Sequence, residues 1–78
     1  MMTGGSELKA LKIVYDAGGE IGAQAVSRKM GVDPNYARLL LGSLARDDYI
    51  DLMASGKYRI TAKGKNELKE EEITTAEV

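Results

Sequence analysis

The residues best suited to contact chemistry fall in one short stretch, 34–46, which holds Asn35, Tyr36, Arg38, Leu39, Ser43 and Arg46. An asparagine amide can pair with the major-groove edge of adenine. The forked N–H groups of arginine fit the O6 and N7 acceptors of guanine, and an exposed leucine can touch a thymine methyl. Asn35, Arg38 and Leu39 are therefore the candidate base contacts. Hydroxyls and cations suit phosphate oxygens instead. Tyr36, Ser43 and Arg46 take that role here, joined by Arg28 and Lys29 upstream and by Lys57, Arg59 and Lys63 downstream. The competing reading of each cation is an ordinary solvated surface charge.

Catalytic chemistry has little to work with. The 78 residues include no cysteine, histidine, tryptophan or phenylalanine. No Ser-His-Asp triad, thiolate nucleophile, histidine general base or Cys/His zinc site can be assembled from such a set. Asp47-Asp48 is a carboxylate pair, but it sits in a predicted surface turn with no pocket to shift its proton affinity. The glycines are scattered, and no phosphate loop follows a strand. The expectation is a chain that is not an enzyme and has no catalytic residues, metal or cofactor.

The candidate residues must be positioned by short elements. Ser6 can cap a first helix whose apolar face runs through Leu8, Leu11, Val14 and Tyr15, widened by Ala10, Ile13 and Ala17. Gly18-Gly19 ends it, since glycine takes the left-handed cap conformation cheaply. Glu20-Ile21-Gly22 is long enough only for a bridge or a stub of strand. Ala23 to Met30 reads as a second helix with Val26 and Met30 on one side, stopped by Gly31, and Val32 is expected to plug the turn. Asp33-Pro34 then gives the clearest helix start in the chain: an N-cap acceptor, followed by a proline whose missing N–H costs nothing at the first helical position. Ala37, Leu40, Leu41 and Leu44 follow on one face. Asn35, Leu39, Gly42 and Arg46 therefore lie opposite, flanked by Arg38 and Ser43.

From Tyr49 the apolar period changes from helical to alternating. A two-residue Ser55-Gly56 turn would split the apolar residues between two faces. A three-residue loop, Ala54-Ser55-Gly56 with Gly56 left-handed, pairs Ile50 with Ile60 and Leu52 with Tyr58. It also sets Asp51 opposite Arg59, a favourable cross-strand pair. This register places Ile50, Leu52, Tyr58 and Ile60 over the open side of the helices. Thr61 can cap a last helix through Gly64 to about Glu71, with a thin apolar content of Leu68, Ala62 and Ile73.

The resulting fold class is mainly α with a small β-hairpin. The tight Gly31-Val32-Asp33 link between the second and third helices is the helix-turn-helix arrangement, and the following hairpin makes it a winged helix-turn-helix. It comprises a three-helix core, a β-hairpin wing and a short C-terminal helix. Residues 6–72 are the expected domain, 1–5 a disordered N-terminus and 73–78 a disordered acidic tail. The stretches Ala37–Ile50 (ARLLLGSLARDDYI) and Tyr58–Gly64 (YRITAKG) resemble the recognition-helix and wing signatures of winged helix-turn-helix regulators of the MarR and PadR kind. In that family a leucine-bearing helix leads through an acidic or glycine turn to an aromatic-Ile strand, and the wing ends in hydrophobic-Thr-x-x-Gly. The resemblance spans roughly Leu8 to Leu68. It implies double-stranded DNA binding and a role in transcription regulation, with the third helix (about 34–46) in the major groove and the wing (about 49–61) on the backbone. Where those regulators often carry a polar or basic base reader, this chain has Leu39.

Net charge sharpens the picture. The formal value of −1 argues against a nucleic-acid partner only as an average. Residues 1–33 are neutral, residues 34–65 carry six cations against three carboxylates, and residues 66–78 carry one lysine against five glutamates. The body is mildly basic and the tail acidic. The Glu67–Glu72 run reads as a solvated helix face. The absence of cysteine suits a reducing interior. No apolar run approaches the ~18–20 residues of a membrane span, and the first residues lack a signal-peptide layout. No membrane contact and a cytoplasmic location are the expectations. The alternative function is a protein-interaction module, an accessory subunit or homodimer built on the Leu39/Gly42 face.

Overall fold

The computed structural model describes the backbone of residues 5–76 and the side chains of residues 5–70. Its elements are α1 (Gly5–Asp16), α2 (Ala23–Met30), α3 (Pro34–Arg46), β1 (Ile50–Leu52), β2 (Tyr58–Ile60) and α4 (Ala62–Ala76). The protein is mainly helical, with one small antiparallel hairpin. Met1–Gly4 of the expected loose N-terminus and residues 77–78 of the expected tail lie outside the described residues, as does the side chain of Ile73.

The helices pack α3 against both α1 and α2, as three half-apolar helices must to hide their stripes from water. Ala10, Leu11 and Val14 of α1, Val26 of α2, and Ala37, Leu40, Leu41 and Leu44 of α3 form the core, with Ile21, Tyr49 and Ile50 closing it. Two expectations for α1 are corrected. Gly5 is already helical, so Ser6 lies in the first turn rather than at the cap. Tyr15 is 49% exposed and Ala17 is exposed, because the buried line centres on residues 10, 11 and 14 and leaves Tyr15 to one side.

Glycines end two helices as anticipated. Gly18 (φ +72°) follows α1 and Gly31 (φ +73°) follows α2, where both its N–H and that of Val32 bond the Ser27 carbonyl, at 2.8 and 3.0 Å. Val32 is half-buried behind that turn. Ser27 is itself buried, its hydroxyl donating to the Gln24 carbonyl at 2.8 Å. Nothing in the sequence pattern distinguished it. At the start of α3, Asp33 accepts the Asn35 N–H at 2.7 Å and Pro34 occupies the first turn.

The end of α3 uses the same left-handed geometry without a glycine. The Tyr49 N–H bonds the Leu44 carbonyl (2.9 Å) and the Asp48 N–H bonds the Ala45 carbonyl (3.1 Å), the paired bonds of a Schellman cap. Asp48 holds the left-handed position at φ +67°. An L-residue there is strained, and a carboxylate at a helix C-terminus meets the negative end of the dipole. Asp48→Gly relieves both at the cost of extra freedom in the unfolded chain. The expected net gain is about 1 kcal/mol, or roughly 4–8 °C in Tm for a domain of this size. A thermal melt measures it, and a lowered Tm would contradict the cap assignment.

In the hairpin, Ile50 pairs with Ile60, Asp51 with Arg59 and Leu52 with Tyr58. Gly56 is left-handed at φ +88°, its N–H bonded to the Met53 carbonyl at 2.9 Å. The three-residue loop and its register are as read from the sequence. Ile21 adds a bridge on the other side of β2, exchanging two backbone bonds with Tyr58 (2.9 and 2.8 Å). Leu52 departs from expectation. It lies two positions from the buried Ile50 on β1 but is 60% exposed, so the outer end of the hairpin is left uncovered.

Thr61 caps α4, accepting the Gly64 N–H at 3.0 Å. The helix continues to Ala76, beyond the expected end near Glu71. The segment after Gly64 holds no proline or glycine, and Glu, Lys and Ala are strong helix formers.

Candidate nucleic-acid interface

The outward face of α3 follows from its inward one. Burying Ala37, Leu40, Leu41 and Leu44 forces Asn35, Arg38, Leu39 and Arg46 to solvent, and all four are exposed. Leu39 is 70% exposed and Tyr36, on the flank, 42%. Ser43 on the same flank is half-buried, which limits its reach to a phosphate. Gly42 lies in this face, and among the described residues nothing stands within 4 Å of where its side chain would begin. No internal packing calls for a glycine there.

At the N-terminal end of this face, Arg38 Nη1 donates to Asn35 Oδ1 at 3.0 Å, so the two candidate base readers form one bonded unit. Their separation of three residues on a helix was the available sequence signal for that contact. Arg28 and Lys29, exposed in the last turn of α2, precede the tight turn into α3.

The cations of the hairpin and of α4 do not all join the α3 face. Lys63 sits at the far end of α3: its Nζ donates to the Asp47 carbonyl at 2.8 Å and lies 4.9 Å from the centroid of the Tyr49 ring. That ammonium ties α4 to the end of α3. Arg59 lines an open groove with Tyr15, Asp16, Glu20, Ile60 and Lys65, beside the end of α1. Lys57 is exposed and close to Gly22. The hairpin loop is anchored there, since the Ser55 hydroxyl donates to Glu20 Oε1 at 2.9 Å. Of the predicted contacts, α3 thus gathers Asn35, Arg38, Leu39, Tyr36 and Arg46. Lys63 is engaged in holding the fold, and Arg59 lies beside α1.

Among the described residues, no group of His, Cys, Asp or Glu is arranged to hold a metal ion, and no helix is long and apolar enough to cross a membrane. No known protein family and no curated protein matches the chain.

Proposed function

We propose that the chain is a winged helix-turn-helix module that binds double-stranded DNA as a small transcriptional regulator, a binding protein rather than an enzyme. The observation that carries this reading is α3. One of its faces is committed to the core, and the other presents Asn35, Arg38, Leu39 and Arg46 to solvent after a tight turn from α2. The element order, three helices then a hairpin bridged by Ile21, supports it. Arg28, Lys29 and Lys57 supply phosphate contacts beside the groove-facing helix.

The test is duplex-DNA binding by fluorescence anisotropy across a salt series. Neutralising about four phosphates gives a slope of log K against log salt near −3.6. Absence of binding at low salt, or binding indifferent to salt, rejects the reading.

A second reading rests on the 70% exposure of Leu39 and the open space at Gly42. A smooth apolar patch on a helix also suits a second protein surface, and the face then joins two copies or an accessory subunit to a larger assembly. Leu39→Arg separates the two. It breaks an oligomer, seen by native mass measurement, and leaves duplex binding unchanged if the patch is a protein contact; it leaves the mass unchanged and alters duplex binding if α3 enters the groove.

A further inference from the structure

We propose that Asn35 and Arg38 act as a single hydrogen-bond donor unit that selects two adjacent guanines, with Leu39 placed for a thymine methyl within the next two steps. This rests on the duplex-DNA reading above and names the sequence class that such a site prefers. The observation is the bond from Arg38 Nη1 to Asn35 Oδ1 at 3.0 Å. An asparagine amide ordinarily offers one acceptor and two donors, and a guanidinium offers five donors and no acceptor. Here the one acceptor atom of the pair, an oxygen with two lone pairs, already receives a cationic N–H on one of them. A further donor brought to the same oxygen would stand beside the positive charge. What remains is mostly donors, the Asn35 Nδ2 group and the other guanidinium N–H groups, with the second Oδ1 lone pair set beside the positive charge.

The major-groove edge of guanine presents two acceptors, O6 and N7. Adenine sets an acceptor next to an N6–H₂ donor. Two-point pairing of Asn35 with adenine would bring that donor to the second Oδ1 lone pair, where it meets the positive charge of the Arg38 guanidinium. A positively charged, donor-rich surface therefore favours guanine at both positions. Polarisation by the guanidinium also strengthens the Nδ2 donors.

The backbone supports the placement. The Asn35 N–H is held by Asp33 Oδ1 at 2.7 Å, which fixes the first turn of α3 where base contacts of such helices concentrate. Leu39 lies one turn further on, an axial distance of ~6 Å, or under two base-pair steps of ~3.4 Å. It is 70% exposed, so a thymine methyl at that step can cover it.

The experiment is selection of the full chain on a random duplex pool at low salt, followed by modified duplexes built on the enriched site. The expected result is enrichment of a guanine-guanine step with a nearby thymine. Replacing either guanine by 7-deazaguanine, which removes N7 and keeps Watson–Crick pairing, weakens binding about tenfold. Uracil in place of the thymine removes one methyl and weakens it about fourfold. Asn35→Asp, which exchanges the donor group for acceptors on an exposed side chain, abolishes the preference at one of the two guanines while circular dichroism stays unchanged. Enrichment of adenine at either position, or an unaltered preference in Asn35→Asp, overturns the proposal. Salt-dependent binding with no base preference overturns it and leaves the DNA reading standing. No salt-dependent binding to any duplex overturns both.

Discussion

Replacing Gly64 by alanine is expected to lower stability by about 2–4 kcal/mol. A glycine inside a helix normally costs ~1 kcal/mol against alanine, so propensity predicts a gain. The surroundings reverse the sign. Gly64 is buried where the first turn of α4 crosses the junction of α3 and β1. A β-carbon there would overlap the backbone carbonyl oxygen of Tyr49 and stand 2.7 Å from Ile60 Cγ1. The Tyr49 carbonyl cannot retreat cheaply, because it also accepts the Thr61 N–H at 3.1 Å. Either α4 lifts from the body or that bond breaks. A chain of 78 residues has a total stability of roughly 4–12 kcal/mol at ordinary values per residue, so the loss is a large fraction of it. Urea unfolding followed by far-UV circular dichroism measures the change. Gly42→Ala is the internal control: it faces open space in the middle of α3 and should gain up to ~1 kcal/mol. The two substitutions are chemically identical and should move the midpoint in opposite directions. A Gly64→Ala midpoint at or above the parent value would refute the close packing of α4.

Thr61→Val should cost about 2–3 kcal/mol through hydrogen bonds alone. Valine conserves the volume and branching of threonine, so packing is little changed. The Thr61 hydroxyl donates to the Asp48 carbonyl at 2.6 Å, with the Tyr49 carbonyl at 3.0 Å as a second acceptor. The same oxygen accepts the Gly64 N–H. Its loss leaves the first turn of α4 uncapped and removes the clamp between that helix and the left-handed turn at Asp48. Thr61→Ser retains all three contacts and should recover most of the stability. Equal melting of the Val and Ser variants would show that the hydroxyl contributes nothing. Thr61 and Gly64 are thus one device: the threonine holds the α3–β1 junction, and the glycine lets the helix come close enough to be held.

Much of this architecture was legible beforehand because its determinants are local. Asp33-Pro34 specified a helix start through its own side-chain acceptor and fixed φ, and the leucines after it specified the buried face. Hairpin register followed from period-two alternation and one left-handed glycine, since a slip of one residue would send Ile50 or Ile60 to solvent. The candidate contacts on α3 were legible for the same reason: once the buried stripe is known, the opposite stripe follows from helix geometry. The less legible features were those decided by distant neighbours. The apolar stripe of α1 is wider in the sequence than in the fold, where Tyr15 is half-exposed. Leu52 kept its face of the strand and lost its cover. Lys63 has the charge of a phosphate contact, but the Asp47 carbonyl and the Tyr49 ring, just beyond α3, engage its ammonium.

The sequence by itself determined the order and type of the elements, the hairpin register and the identity of the outward residues on α3, because each depends on backbone preference and periodicity within a few positions. Tertiary structure alone decided which apolar residues are covered, which cations remain available and why a glycine stands at position 64. Coverage and close approach depend on where a second element ends relative to the first. Local periodicity carries no record of that distance. The same limit applies to Asn35 and Arg38: their spacing allowed a contact, and the folded helix decided that Arg38 donates to Asn35 Oδ1.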